Sequence, residues 1–214
     1  MPHIRIAAKY LKYKKISLLS AFLLFSLMTT ISTAQAQAAP AVTEWHTKEV
    51  GEKTLSFSTT QMGAEFTGVF QAFTPVVFFD PNRLQDSYVK VTVPLTSAFT
   101  DDEERDEALQ NDDWFDTEAH PIAVFETTSI ALNEGKNAQD YPYIANAKLT
   151  IRGIEKQITL PFSFVITENT ARATGATTLN RIDFEVGAEN WDDPESVGLF
   201  VDVAFTLDLF IHKQ

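Results

Sequence analysis

The histidines and acidic residues of this chain are the groups that could support catalysis or metal binding, but their spacing argues against both. The chain has no cysteine, which excludes a thiolate nucleophile, a covalently attached haem and a lipid-modified cysteine. It also lacks the Gly-x-Ser-x-Gly elbow of serine hydrolases. His46, His120 and His212 lie far apart and lack the short spacing of metal-ligand pairs. We therefore predict a protein that is not an enzyme and holds no metal or other catalytic cofactor.

The acidic run at residues 101–104 lacks the regular spacing of a calcium loop and instead indicates the start of a helix. Thr100 stands before it as a capping residue, with a glutamate at the third position after it, and acids in a first turn suit the helix dipole. The sequence predicts one helix, over residues 100–109. Within it, Arg105 and Asp106 are expected to pair and to anchor the helix, because charged groups near a core need partners.

Elsewhere the apolar residues recur mostly at every second position, which is typical of strands with one buried face. Turn signals such as Asp80-Pro81-Asn82 separate these segments. The predicted strands lie around residues 55–60, 65–79, 89–95, 122–132, 145–151, 158–164, 172–186 and 201–209. About eight antiparallel strands with one helical connection predict an all-β closed barrel, since closure removes exposed edges. A two-sheet sandwich is the alternative.

An eight-stranded barrel is just wide enough to be filled by side chains or to hold one slender ligand. The chain has 17 Phe and 3 Trp, many of them on predicted strands, so an aromatic interior is available. An ordinary dry core is the usual place for aromatic residues. Composition alone favours that dry core over a ligand channel.

The N-terminal segment has the order of a secretory signal peptide. Five basic residues precede the apolar block 16–28, and Ala34-Gln35-Ala36 offers the small residues that signal peptidase needs. An uncleaved membrane anchor is the alternative, but the block is shorter than the roughly 20 apolar residues that span a bilayer. We predict cleavage after Ala36, or after Ala38 in a second register, leaving one domain over residues 37–214. The mature protein is then exported through the inner membrane of a Gram-negative bacterium.

The chain is strongly acidic, with a net charge of −12 at pH 7. Loss of residues 1–36 removes five basic residues and no acidic one, so the mature domain is more negative still. Binding to nucleic acid depends on Lys and Arg displacing counterions from phosphates. We therefore expect no nucleic-acid partner.

A set of ordered motifs across residues 66–184 closely resembles the YceI-like family. Each motif alone is weak, but their order and spacing together, behind a signal peptide, are specific. The motifs are Phe66-Thr-Gly68-Val-Phe70-Gln-Ala-Phe73, Phe79-Asp80, Arg105-Asp106-Glu-Ala-Leu109-Gln-Asn-Asp-Asp113-Trp-Phe115, His120-Pro121-Ile-Ala-Val-Phe125, Leu149-Thr-Ile-Arg-Gly153-Ile and Arg181-Ile-Asp183-Phe184.

This resemblance implies a periplasmic, lipocalin-like barrel that binds a polyisoprenoid or an isoprenoid quinone in an elongated apolar channel. It implies no known reaction. Some members of the family are encoded with or fused to membrane b-type cytochromes, so such a cytochrome partner and transient membrane contact are expectations by analogy only. The alternative function is an accessory module of that redox system, with the lipid merely structural.

The chain departs from the family pattern at two places where relatives often carry a histidine. Gln61-Met62-Gly63 stands at one of them and Ala108 at the other. These imidazoles could have touched a lipid head group, so their loss leaves the head-group specificity open.

The residues expected to bind the ligand are mostly aromatic and lie on strands. Phe70, Phe125, Phe162 and Phe205 are the leading candidates, because the faces with Phe162 and Phe205 are the more continuously apolar ones. Gly68 and Gly153 are expected to allow a close backbone approach or a turn. Trp114 and Phe115 could either plug one barrel end or line the channel mouth. The full predicted set is Phe57, Phe70, Phe73, Val91, Val93, Trp114, Phe115, Phe125, Phe162, Phe164, Phe184 and Phe205.

The signal sequence gives a direct prediction about processing. The mature protein in the periplasmic fraction should begin at Gln37 or Ala39, because signal peptidase cuts after small residues such as Ala36 and Ala38. Intact-mass measurement on each cell fraction checks this. Retention of residues 1–36 in a membrane fraction would contradict it.

Overall fold

The computed structural model describes residues 42–48 and 51–211. The predicted cleavage sites and His212 lie outside these residues. Within them, no helix is long and apolar enough to cross a bilayer. They form one short helix, α1 (Glu103–Ala108), three 3-10 turns (Leu84–Asp86, Leu95–Ser97 and Arg181–Phe184), and the strands β1 (Glu44–Thr47), β2 (Lys53–Gln61), β3 (Ala64–Phe70), β4 (Thr74–Phe78), β5 (Tyr88–Pro94), β6 (Ala98–Phe99), β7 (Ile122–Leu132), β8 (Tyr143–Ile151), β9 (Ile154–Thr167), β10 (Thr170–Asn180) and β11 (Phe200–Phe210).

Antiparallel pairing closes eight of these strands into a barrel, in the order β1-β4-β5-β7-β8-β9-β10-β11 and back to β1. Strand β1 completes the ring because Trp45 lies opposite Val77 of β4 and His46 lies opposite Phe210 of β11. Strand β2 pairs with the other part of β11, and β3 and β6 extend from it. The predicted all-β barrel with one helical connection is confirmed, because the ring is continuous and does not separate into two sheets.

Two predicted strands end earlier than expected. Residues 65–79 form two strands, because β3 pairs with β2 whereas β4 pairs with β1 and β5. At the break, the Gln71 backbone N–H donates to the Ser97 carbonyl at 2.9 Å. The strand predicted to reach residue 186 stops at Asn180, whose side chain accepts a hydrogen bond from the Ile182 backbone N–H and starts a 3-10 turn. The sequence pattern missed both strand ends because neither a change of partner strand nor a side-chain cap alters the period-two spacing of apolar residues.

The predicted helix is present but shorter, and its cap was assigned to the wrong residue. Asp102, not Thr100, caps α1 by accepting from the Arg105 backbone N–H at 3.0 Å. Thr100 instead donates through its backbone N–H and its hydroxyl to the Asp106 carboxylate, at 2.7 and 2.6 Å. The predicted pairing of Arg105 with Asp106 is wrong, because adjacent positions of a helix do not face each other, and Arg105 pairs with Asp102 instead.

One end of the barrel interior is filled by five interlocking rings, called here the aromatic cluster: Trp45, Phe79, Tyr143, Phe162 and Phe164. Phe79 is its centre, 1% exposed, with ring centroids 5.1 Å from Tyr143, 5.8 Å from Phe162 and 4.3 Å from Phe164. Trp45 meets Phe164 edge-on and donates its indole N–H to the Phe79 carbonyl at 3.0 Å. Every ring is therefore held from more than one side, and this end of the barrel is packed solid.

The two glycines of the sequence motifs have the backbone roles expected of them. Gly153 has a φ of +72° in the turn between β8 and β9. Gly68 lies opposite Phe57 in the β2–β3 pair, and the Phe57 ring covers it so closely that a Cβ there would lie 2.3 Å from Cζ of the ring.

The contact at Gly68 gives a stability prediction. Gly68→Ala should lower the free energy of unfolding by about 1–3 kcal/mol, because the new methyl group overpacks against the Phe57 ring. Chemical denaturation measures the loss. In a Phe57→Leu background, which lacks the ring, the same Gly68→Ala change should cost less. A Gly68→Ala variant as stable as the wild type would contradict the prediction.

Candidate functional site

The other end of the barrel interior encloses a cavity of about 540 Å³. That volume lies within the roughly 300–1,000 Å³ typical of ligand pockets. Inward-facing side chains of β2, β3, β5 and β7–β11 supply most of the wall, and α1, the loop after it, two of the 3-10 turns and the segment before β11 contribute further residues. The predicted binding residues that line it are Phe57, Phe70, Phe73, Val91, Val93, Trp114, Phe115, Phe125, Phe184 and Phe205.

The structure places Phe162 and Phe164 outside this wall. Both side chains point inward, on the same face of β9 as the cavity-lining Ile158 and Leu160. They lie further along the strand, however, where the aromatic cluster fills the barrel. Alternation along a strand indicates which face points inward, but it does not indicate at what depth packing gives way to empty space.

The cavity also includes aliphatic residues that the sequence analysis did not select. They share faces with predicted residues, so the period-two pattern that pointed to Phe205 could also have found its neighbours on β11. Trp191 has no such signal, because it lies in the irregular segment between the last 3-10 turn and β11. The unselected apolar residues include Leu55, Val89, Leu95, Leu149, Ile158, Leu160, Leu179, Trp191, Val201, Val203 and Leu207.

Polar side chains gather at the end of the cavity away from the aromatic cluster, called here the mouth and bounded by Gln61, Arg105 and Trp191, all partly exposed. The Arg105 guanidinium lies over the Phe66 ring at 4.2 Å, donates to the Gln61 side chain at 3.2 Å and lies 3.3 Å from Asp102. Arg105 thus anchors α1 to the β2–β3 hairpin, as expected, although not through Asp106. The same group presents positive charge and hydrogen-bond donors at the edge of a mostly apolar wall, beside the acidic side chains of Asp102 and Glu104.

Arg181 is the most constrained charged group at the site. It is 5% exposed, and its guanidinium donates to backbone carbonyls of Val186, Gly187, Trp191, Val197 and Gly198. Burial lowers its pKa below the ordinary value, while the charge of nearby Asp192 opposes that shift. Arginine remains protonated nonetheless, because its ordinary pKa lies far above physiological pH. The carbonyls therefore face a permanent cation, which fixes the segment 185–198 beside the cavity.

Trp114 lies beside the mouth and is held by contacts on several sides. Its ring centroid is 5.9 Å from that of Trp191, and the Arg181 guanidinium lies 5.6 Å from it. Arg152, in the turn after β8, donates to the Trp114 backbone carbonyl. Both Trp114 and Phe115 line the cavity, and Trp114 packs against Trp191 at the mouth whereas Phe115 packs against Phe70.

Among residues 42–48 and 51–211, no group of three or more His, Asp or Glu side chains could hold a metal ion. The two carboxylates with lowered pKa values do not line the cavity. A hydrogen bond from Tyr88 lowers the pKa of Glu126, and one from Arg172 lowers the pKa of Asp208. The arrangement can enclose an apolar molecule and contact a polar group at its end.

A closed eight-stranded antiparallel barrel with an apolar interior cavity is the architecture of barrels that hold one small ligand. Comparison with known families gives a closer assignment. The YceI-like domain matches residues 45–209, which covers most of the barrel. The chain belongs to the YceI-like family.

Individual relatives agree with this assignment. A UPF0312 protein of Vibrio parahaemolyticus is 28% identical over 151 residues, covering 66% of this chain and 77% of the relative. The crystal structure of BcnA from Burkholderia cenocepacia is 28% identical, with a TM-score of 0.67 over 73% of this chain and 95% of BcnA. A polyisoprenoid binding domain from Saccharophagus degradans shares the fold at 14% identity, with a TM-score of 0.57 over 81% of this chain and all of that domain.

The hydrogen bonds of Arg181 give a prediction with a matched control. Arg181→Lys should lower the free energy of unfolding by about 2 kcal/mol or more, because a lysine has three donors for five carbonyls, three of them in buried bonds, and each unsatisfied group costs about 1–3 kcal/mol. Arg172→Lys, at an exposed position on β10 where the side chain bonds to Asp208, should cost far less. Chemical denaturation compares them. If the two variants lose equal amounts of stability, the buried contacts of Arg181 contribute no more than the exposed ones of Arg172, which would contradict the prediction.

Proposed function

We propose that this protein is a periplasmic carrier for an amphiphilic isoprenoid lipid, either a polyisoprenoid or an isoprenoid quinone, and that it catalyses no reaction. The observation that carries the proposal is the division of the cavity into a deep apolar wall and a polar mouth. An apolar tail inside the barrel would contact side chains such as Leu160 and Phe205. A polar head would lie at the mouth, within reach of Gln61 and Arg105.

The family supports the choice of lipid. The relative from Saccharophagus degradans is a polyisoprenoid binding domain, and both proteins share a closed barrel. In this chain the wall facing the cavity carries branched aliphatic and aromatic side chains, which suit a branched hydrocarbon tail. An anionic, fully polar ligand would leave its charge without partners along most of the wall, which costs several kcal/mol.

The energetics of transfer suit a carrier. Burying a methylene group from water is worth roughly 0.8 kcal/mol, so about forty carbons would sum to near 30 kcal/mol, above the practical affinity limit of about 18–21 kcal/mol. The sum is therefore not the affinity, because the lipid leaves a bilayer that is as apolar as the cavity. Net transfer between bilayer and barrel should lie near zero and be reversible. The alternative is an accessory subunit of a membrane b-type cytochrome. In that case the lipid would be structural and would not need to exchange with the bilayer.

Blocking the cavity tests the proposal. Phe205→Trp and Val203→Trp add volume on the inward face of β11 and should reduce the lipid recovered per mole of folded protein at least several-fold. Ala204→Trp places the same side chain on the exposed face of that strand and should leave loading unchanged. Mass spectrometry of organic extracts identifies and counts the lipid, and circular dichroism verifies the fold.

Three results would contradict the proposal. One is a protein from its native host that contains no lipid. Another is full loading in both folded inward variants, which would put the ligand elsewhere. The third is a bound lipid that never exchanges with added vesicles, which would favour the accessory-module alternative over a carrier.

A further inference from the structure

The wall of the barrel is not hydrogen-bonded along its whole height. Strands β9 and β10 pair through residues 162–167 and 170–175, beside the aromatic cluster. Nearer the mouth, residues 154–161 of β9 pair with β8 but not with β10. Residues 176–180 of β10 pair with β11 but not with β9. These two stretches bound a gap in the backbone pairing, called here the seam.

A proline marks the point where the pairing stops. A Cβ on Gly175 would lie 2.8 Å from the Pro161 carbonyl oxygen, so that carbonyl faces β10. In an antiparallel ladder the N–H and C=O groups of one residue point to the same neighbouring strand, and proline has no N–H to donate. Pro161 therefore ends the ladder between β9 and β10, and the seam begins there.

Side chains close the seam in place of the backbone. Among the residues that bound the seam, all of which the structure describes, one hydrogen bond crosses it, from the Thr177 hydroxyl to the Thr159 carbonyl at 3.1 Å. Phe184, which is 2% exposed, lies in the 3-10 turn after β10. It belongs to a cluster against which Ile158 of β9 and Leu179 of β10 both pack, so it acts as a wedge between the two strands.

A closure of this kind opens more easily than a paired stretch of the wall. Separating two paired strands over the length of residues 176–180 would break about five backbone hydrogen bonds. At the seam the same movement breaks one hydrogen bond from a hydroxyl and separates apolar side chains. Segments with few bonds between them open first in a folded protein. The seam is therefore the line along which we expect the barrel wall to part.

The seam also leads directly into the cavity. Ile158 and Leu160 of β9 and Leu179 of β10 line the cavity beside it. A tail that left end-on through the mouth would have to pass the charged and polar groups around Arg105 along its whole length. A tail that leaves sideways meets apolar side chains instead.

We propose that the seam opens transiently, so that the lipid tail enters and leaves the barrel sideways between β9 and β10 while the head group stays at the mouth. The inference rests on the proposed lipid binding and adds the route by which the lipid exchanges. The hydrogen bond from Thr177 to Thr159 and the wedge at Phe184 hold the seam closed around a bound tail.

A chemical bridge across the seam tests the proposal. The chain has no cysteine, so Thr159→Cys combined with Thr178→Cys introduces the only two thiols, both at exposed positions beside the seam. A short bis-maleimide links them, and intact mass verifies the link. The linked protein, loaded beforehand with a deuterium-labelled long-chain all-trans prenol, should release it to phosphatidylcholine vesicles at least about tenfold more slowly than the same variant capped with N-ethylmaleimide, because opening limits release.

The matched control keeps Thr159→Cys and moves the second cysteine to Asn146, which lies opposite Thr159 on β8. Backbone pairing already holds β8 and β9 together there, so this link should leave the release rate within about twofold of the capped protein. A further variant needs no link. Thr177→Val removes the hydrogen bond across the seam and should speed release several-fold.

Unchanged release from the protein linked across the seam would overturn the lateral route while leaving lipid binding intact. Equal slowing by both links would overturn it too, because the effect would then be a general loss of flexibility. If the reagent does not bridge the seam, Thr177→Val decides the question, and release at the wild-type rate counts against the proposal. If the wild type binds no prenol at all, the proposed function fails and the lateral route fails with it.

Discussion

The closure of the barrel through β1 is the constraint on which the rest of the structure depends. This strand has only four residues, yet it pairs with β4 on one side and β11 on the other. The same strand carries Trp45, which bonds the Phe79 carbonyl and packs on Phe164. Closing the ring and sealing one end of its interior are therefore achieved by the same short segment, and an enclosed cavity requires both.

Closure alone does not make a binding site, because an eight-stranded barrel can also be filled completely by its own side chains. Here the interior is divided. The aromatic cluster fills one end, while at the other end the inward side chains stop short of one another and leave the cavity. The cavity then has a closed floor and a single polar region at its mouth, a geometry that would orient an amphiphilic ligand with its tail inward.

The mouth is held in shape by arginines that act on the backbone. Arg181 donates all its hydrogen bonds to carbonyls of residues 186–198, and Arg152 binds the carbonyl of Trp114. A carbonyl-bonded guanidinium keeps its charge without a carboxylate partner at these contacts.

The sequence by itself determined the fold class and the family, because period-two spacing, turn residues and ordered motifs are local properties of the chain. It also selected most of the residues that line the cavity, such as Phe125 and Phe205, since alternation identifies the inward face. Only the tertiary structure decided where the interior is full and where it is empty. Phe162 and Phe205 have the same spacing signal, and their different places follow from which strands bring rings together across the barrel. The five carbonyls around Arg181, likewise, meet only when the chain between residues 185 and 198 has folded back over it.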